Sequence, residues 1–234
     1  NTSSGAVGNL TIGNIALTTG KSGDISATIE NYGANSVGAL TVGSISIVEG
    51  KNGSGSFELT QYAYASGTKA ATAGAVTVGA VGFNIGQSAW LEFSGDYSAY
   101  ASGSGSATIG NIALGGVAGV LAQNASASVS IEVSAYSVSG AATIGNVALG
   151  DSSFTLAVDA SMDMEFSVTA GESGSKASTV GDVSRGSLTV DAGINTTFSY
   201  TGYVEAWGGT GSKLGNVTLG NFVVDGDDGS YVNY

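Results

Sequence analysis

Apolar and polar residues alternate along much of this chain. The longest run places Phe154, Leu156, Val158, Ala160, Met162, Met164, Phe166 and Val168 on one face. Thr155, Ala157, Asp159, Ser161, Asp163, Glu165 and Ser167 lie on the other. A period of two held this long predicts a strand with one buried face. Val129, Ile131, Val133 and Ala135 alternate in the same way with Ser128, Ser130, Glu132 and Ser134. Ile25-Ala27-Ile29 and Leu91-Phe93 are shorter versions. Gly/Ser clusters such as Ser102-Gly103-Ser104-Gly105-Ser106 read as turns. Stripes at helical spacing and helix caps are absent, so the pattern predicts an all-β chain.

Between the long runs a short motif recurs. Leu10-Thr11-Ile12-Gly13-Asn14-Ile15-Ala16-Leu17 returns around Gly43, Gly79, Gly110, Gly145, Gly181 and Gly215, at intervals of 30, 36, 31, 35, 36 and 34 residues. In Leu-Thr-Ile and in Ile-Ala-Leu the outer residues face one way. At Gly13-Asn14 the alternation skips a beat, and a two-residue corner returns Ile12 and Ile15 to the same interior. Gly and Asn tolerate the positive φ that such a bend can demand. The unit reads as strand, corner, strand around one core. Stacked like on like, the copies form a column of Ile12, Val42, Val78, Ile109, Ile144, Val180 and Leu214. A second column holds Ile15, Ile45, Val81, Ile112, Val147, Val183 and Val217. This predicts one repeat domain over residues 1–234, a β-solenoid of about seven coils of 30–36 residues. The alternatives are an antiparallel β-sandwich or a barrel, since barrels also show segments of about ten alternating residues.

Composition sharpens the picture. The 234 residues include 39 Gly and no Pro, Cys or His. Proline breaks sheet ladders, so its absence suits a chain paired in sheet almost throughout. Without His or Cys there is no Ser-His-Asp triad, cysteine nucleophile or ordinary zinc site. Six basic residues against eighteen acidic ones give a net charge of −12. Nucleic acid and anionic membrane need the opposite sign. No segment is apolar for long enough to predict a membrane-spanning helix. The acidic, charge-poor, Ser/Thr/Gly-rich composition, and a start at Asn1 with no Met or basic leader, predict a secreted mature protein at the cell surface or outside the cell.

The repeated Leu-Thr-Ile/Val-Gly-Asn/Ser-Ile-x-Leu pattern in a Cys-free chain resembles secreted bacterial β-solenoid surface proteins, adhesins and filament-forming or pilus-system repeat proteins. The resemblance implies a non-enzymatic role in fibres, attachment or biofilm, with copies of the same chain as partners and glycans or surfaces as further ones. A monomeric adhesin or glycan-binding module is the alternative. A carbohydrate-active enzyme and an ice-binding protein rank below it.

Candidate chemistry is sparse. Asp225, Asp227 and Asp228, within Asp225-Gly226-Asp227-Asp228-Gly229, form the best metal candidate, because oxygen ligands with flexible glycines suit Ca²⁺. No cofactor is required otherwise. Asp159 with Asp163 is a conceivable carboxylate pair for glycoside chemistry, against the plainer reading of a solvated strand face. Arg185, the one arginine, replaces an apolar residue of the repeat, which predicts a distortion or a capping contact. Thr11, Thr41, Thr77, Thr108, Thr143 and Thr179 predict an outward ladder. Asn14, Asn111, Asn146 and Asn216 predict a corner ladder. Tyr62, Tyr64, Tyr97, Tyr100, Tyr136, Tyr200 and Tyr203 suggest either packing or a carbohydrate-contacting strip. Glu92, Glu132, Glu165 and Glu205 lie on the long segments at intervals that do not match the repeat.

Overall fold

A strand of three to five residues buries too little to persist alone, so these segments become stable only when each lies on its equivalent in the next coil. The computed structural model, which describes residues 6–234, contains strands and no helix among them. Every strand pair is parallel, and four sheets run along one axis. The protein is a β-solenoid, which removes the sandwich and the barrel. Val7 to Leu214 makes six complete turns, and a seventh runs on to Tyr231–Asn233.

Each turn visits the sheets in a fixed order. Sheet 1 stacks Leu10–Ile12, Leu40–Val42, Val76–Val78, Ile112–Leu114, Val147–Leu149, Val183–Arg185 and Val217–Leu219. Sheet 2 stacks Ile15–Thr18, Ile45–Glu49, Val81–Ile85, Val117–Leu121, Ser152–Leu156, Leu188–Ala192 and Phe222–Gly226. Sheet 3 holds the long strands Asp24–Ala34, Ser54–Ala65, Trp90–Ala101, Ser126–Ser137, Ser161–Glu172 and Thr197–Trp207, then the short Tyr231–Asn233. Sheet 4 holds Ser36–Val37, Ala71–Ala73, Ala107–Ile109, Ala142–Ile144, Ser178–Val180 and Lys213–Leu214.

The coil has two glycine corners where the motif suggested one, and this corrects the stacking. Ile109 lies on Ala73, not on Val78, and Ile112 lies on Val76, not on Val81. The corners around Gly13, Gly43 and Gly79 join sheet 1 to sheet 2. Those around Gly110, Gly145, Gly181 and Gly215 join sheet 4 to sheet 1. Both follow the order apolar, Gly, small or Asx, apolar, as in Val37-Gly38-Ala39-Leu40-Thr41-Val42-Gly43-Ser44-Ile45. One corner was therefore mistaken for the other midway along the chain. Gly79 stacks with Gly115, an interval of 36, and the anomalous 31 disappears. The threonine ladder divides accordingly. Thr11, Thr41 and Thr77 continue into Ala113, Ala148 and Ser184 on sheet 1, while Thr72, Thr108, Thr143 and Thr179 lie on sheet 4.

The corner glycines are there for space, not for positive φ. A Cβ at Gly79 would sit 2.8 Å from the Ser44 nitrogen, and one at Gly110 would sit 2.7 Å from the Ala75 nitrogen. The coil beneath leaves room for a hydrogen only. Positive φ occurs at the sheet 2 to sheet 3 corner instead, at Ser22, Asn52, Ser88, Asn124, Asp159 and Asn195, with φ between 55° and 57°. Asn, Asp and Ser fill that column because short polar side chains tolerate αL. This corner splits the expected fifteen-residue strand into Ser152–Leu156 and Ser161–Glu172. It preserves the inward–outward parity on either side, so alternation alone does not reveal it. Val158, placed inward by the pattern, is exposed at the bend.

The interior is one continuous apolar column set that includes Leu40, Val76, Ile112, Phe57, Phe93, Met164 and Phe166. Phe57 and Phe93 stack with centroids 5.6 Å apart and planes 1° apart. Each such side chain contributes roughly 1.5–3 kcal/mol on burial.

The corner argument makes a comparison of two glycines informative. Gly79→Ala is expected to cost about 1–3 kcal/mol and to lower the melting temperature by several degrees. Gly13→Ala, where an added Cβ meets nothing within 4 Å, is expected to leave melting unchanged. Circular dichroism melts of the two variants check this, and equal losses would contradict the spatial explanation.

Candidate functional surfaces

The outward face of sheet 3 is the most chemically distinct surface. Asp24, Glu30, Glu58, Glu92, Asp96, Glu132, Asp163, Glu165 and Glu205 all project from it, half of the chain's acids, and no Lys or Arg does. Asp96 and Glu132 are direct register partners, an arrangement that is unfavourable for like charges. Burial, and then repulsion from Glu58, pushes the Asp96 carboxyl above its ordinary range, with a hydrogen bond from Ser98 opposing. Burial together with Asp96 and Glu165 does the same to Glu132. Asp96 Oδ1 is buried without a hydrogen-bond partner. Among the described residues, no three acidic side chains gather as a metal ion would need. The glutamates expected on this face occupy different columns, since Glu132 stacks with Asp96 and Glu165 with Ser130.

Aromatic residues edge the same sheet. Tyr64, Tyr100 and Tyr136 stack in one column, with centroids 5.7 and 5.4 Å apart and planes within 11°. Gly171 then leaves a gap, and the Trp207 ring covers it. Tyr32 and Tyr62 stack likewise at 5.3 Å. The ring faces are spent on one another, so the ladder offers edges and hydroxyls, not the open faces a sugar stacks on. Two of the grouped tyrosines are not on this surface: Tyr97 and Tyr200 point into the core. Trp90 differs from all of these. It stands between Ser54 and Ser126 in its column, half exposed. It borders a shallow hollow of about 350 Å³ that Glu92, Ser128 and Asp163 also line.

The other singled-out residues have structural partners. Asp159 holds the αL corner and accepts from Asn195 Nδ2 at 3.4 Å, while Asp163 lies on the sheet 3 strand beyond it. Asp225 pairs in register with Asp191 on sheet 2, and Asp227 and Asp228 sit in the corner that follows. The three candidate Ca²⁺ ligands are thus neighbours in sequence without being gathered around a common point. The Asn ladder exists in modified form, as side-chain oxygens that accept backbone N–H groups of the next coil. Asn111 accepts from Asn146 N, Asn146 from Asp182 N and Asp182 from Asn216 N, at 2.8–2.9 Å. Asn9 does the same at this corner, whereas Asn14 serves the sheet 1 to sheet 2 corner through Ser44 N at 2.9 Å.

Among the described residues three charged side chains are buried, Arg185, Glu49 and Glu172, the last accepting from the Gly174 and Lys176 backbone N–H groups. Arg185 replaces an aliphatic residue between Leu149 and Leu219. Its guanidinium carbon lies 5.0 Å from the Tyr200 ring centroid and 5.6 Å from that of Tyr234, and Nη2 donates to the Gly220 carbonyl at 3.4 Å and to Tyr234 Oη at 3.3 Å. Tyr234 stacks in turn on Phe222. The expected capping contact is therefore a cation set against two tyrosine rings that stack on each other, with centroids 5.4 Å apart. Glu49 accepts from Thr19 Oγ1 at 3.0 Å through Oε2, while its Oε1 is buried without a partner. Burial raises its pKa.

The two ends of the rod expose what the middle buries. At one end the inward residues Leu10, Ile12, Ile15, Leu17, Ile25 and Ile29 are only half covered. At the other, Leu214, Val217 and Leu219 are 44%, 45% and 55% exposed. They border a hollow of about 370 Å³ shared with Phe166, Tyr200, Val204 and Tyr234. Among the described residues the last sheet 3 strand pairs only with Thr197–Ser199. The hollow is not legible in the sequence. Its wall joins residues from three coils, and only the register brings them together.

No protein-family model matches the chain, and no curated protein or solved structure is significantly similar to it.

Three raised carboxylates fix the sign of the pH dependence. Asp96, Glu132 and Glu49 bind protons more readily when folded than when unfolded. Their contribution to stability is fully present below the ordinary carboxylate range and is lost as pH rises through their raised pKa values. The melting temperature is expected to be higher at about pH 5 than at about pH 7. Asp96→Asn is expected to raise it at neutral pH and to flatten the difference. A melting temperature that falls on mild acidification would contradict this assignment.

Proposed function

We propose that this chain is a structural subunit of an extracellular filament or surface fibre, which assembles through its open coil ends and serves attachment or biofilm. The observation that carries the reading is the exposure, at both ends of one rod, of apolar side chains and sheet edges that are buried in every intervening coil. Open edges pair unless they are covered. An end-to-end contact between unlike faces does not close, so it yields a fibre. The acidic sheet 3 face disfavours side-by-side aggregation through like-charge repulsion, which leaves the ends as the preferred contact. Extracellular placement draws on the resemblance to secreted surface repeats and on the composition. The role is non-catalytic.

Sedimentation velocity over a range of concentrations tests the reading. The intact protein is expected to form polymers that lengthen with concentration and salt. Leu219→Lys, which places a charge on the open apolar face, is expected to leave monomers with native circular dichroism. A wild-type chain that stays monomeric up to about millimolar concentration, where even weak association is populated, would overturn the proposal.

One observation favours a second reading, a glycan-binding module. Trp90 presents a ring beside serine hydroxyls and the Glu92 and Asp163 carboxylates, a combination suited to a sugar face and its hydroxyls. Fluorescence of a Trp207→Phe variant, in which Trp90 is the sole tryptophan, is expected under this reading to shift saturably with neutral oligosaccharides. No response from such a panel would remove it.

A further inference from the structure

The two ends are complementary in detail, and this extends the filament reading, on which the present inference rests. At the sheet 2 to sheet 3 corner, successive hydrogen bonds from Ser22, Asn52, Ser88, Asn124, Asp159 and Asn195 define a column of Lys51, Gln87, Gln123, Val158, Ile194 and Asp228. Lys21 precedes Ser22 as Lys51 precedes Asn52, so Lys21 begins this column and Asp228 ends it, with Asp227 adjacent. One end thus carries two lysines at this corner, and the other end carries two aspartates at the same corner. Along the intervening coils the column is uncharged.

The glycine corners carry the second argument. The column Gly8, Gly38, Gly74, Gly110, Gly145, Gly181, Gly215 is glycine throughout, as is Gly13, Gly43, Gly79, Gly115, Gly150, Gly186, Gly220. At every member but the first, an added Cβ would come closer than 3.0 Å to the coil beneath. At Gly8 and Gly13 it would meet nothing within 4 Å among the described residues. These two glycines satisfy a constraint that the described residues do not impose, and a coil placed beneath them would impose it. The Asx ladders point the same way. Asn9 and Asn14 accept from the coil above, and the corresponding acceptors on the last coil are Asn216 and Asn221, both exposed.

We infer that the partner at each end is a second copy of this chain, docked head to tail in continuous coil register. Lys21 then lies against Asp227 and Asp228 of the preceding copy. Ile12 covers Leu219 and Ile15 covers Phe222. The backbone N–H groups of Asn9 and Asn14 reach the side-chain oxygens of Asn216 and Asn221. The contact is carried by sheets 1 and 2 and their corners. The three aspartates that looked like a cation site in sequence include the two that meet this lysine.

Charge swapping tests the register separately from assembly. Lys21→Glu alone and Asp228→Lys alone are each expected to raise the critical concentration for polymerisation roughly three- to tenfold, consistent with the modest strength of exposed pairs. The double variant, and an equimolar mixture of the two single variants, are expected to polymerise as wild type does. Gly13→Ala is expected to keep the melting temperature of the wild-type monomer, measured below the critical concentration, and yet to lose assembly. If wild type polymerises while all these variants polymerise equally well, the register is overturned and the filament reading stands. If wild type does not polymerise at all, the filament reading itself fails, and this inference with it.

Discussion

Everything in this molecule follows from stacking coils in parallel register at a separation of about 4.8 Å. At that spacing each residue's nearest neighbour is its own equivalent in the next turn. A side chain is therefore judged by what it does beside a copy of its position. Aliphatic residues stack into a core, and phenylalanines and tyrosines stack face to face. Asparagines pass hydrogen bonds up a corner. A corner residue with a Cβ strikes the backbone below, so two columns are glycine in all seven coils. Carboxylates suffer from the same rule. Asp96 and Glu132 are brought together and both resist ionisation.

Much of this was legible in the sequence. Period-two runs gave strands, the recurring Gly corner gave a coil, and the absence of proline agreed with nearly continuous pairing. What failed was phase. The coil contains two corners with the same order of apolar, glycine and small residues, so a short motif slid from one to the other between Gly79 and Gly110. The interval of 31, falling between intervals of 36 and 35, was the visible symptom. Extending the motif over both glycines, as in Ile144-Gly145-Asn146-Val147-Ala148-Leu149-Gly150, restores a single register. The αL corner escaped notice for a different reason. A bend that keeps side-chain parity leaves the alternation of Phe154 to Val168 intact, so Val158 was placed inside.

The candidate surfaces were less legible than the fold. Whether tyrosines form a sugar platform depends on whether their faces are free, and that is settled by column membership. Tyr64, Tyr100 and Tyr136 share a column and cover one another, whereas Trp90 has serines on both sides. Arg185 announced itself by breaking a column of aliphatic residues, but its partners, Tyr200 and Tyr234, lie on other strands. The end faces depend on register most of all, because Lys21 and Asp228 share a column only after every intervening coil is aligned.

The central claim is that one rule, register stacking, governs contacts within the chain and between chains. Electron cryomicroscopy of the assembled protein measures this directly through the axial rise per subunit. Seven coils at about 4.8 Å predict a rise near 34 Å with the ladder spacing unbroken across the junction. A repeat of twice that length would mean copies joined like end to like end, and an interrupted ladder would mean contact through the sides. Either result would contradict the account.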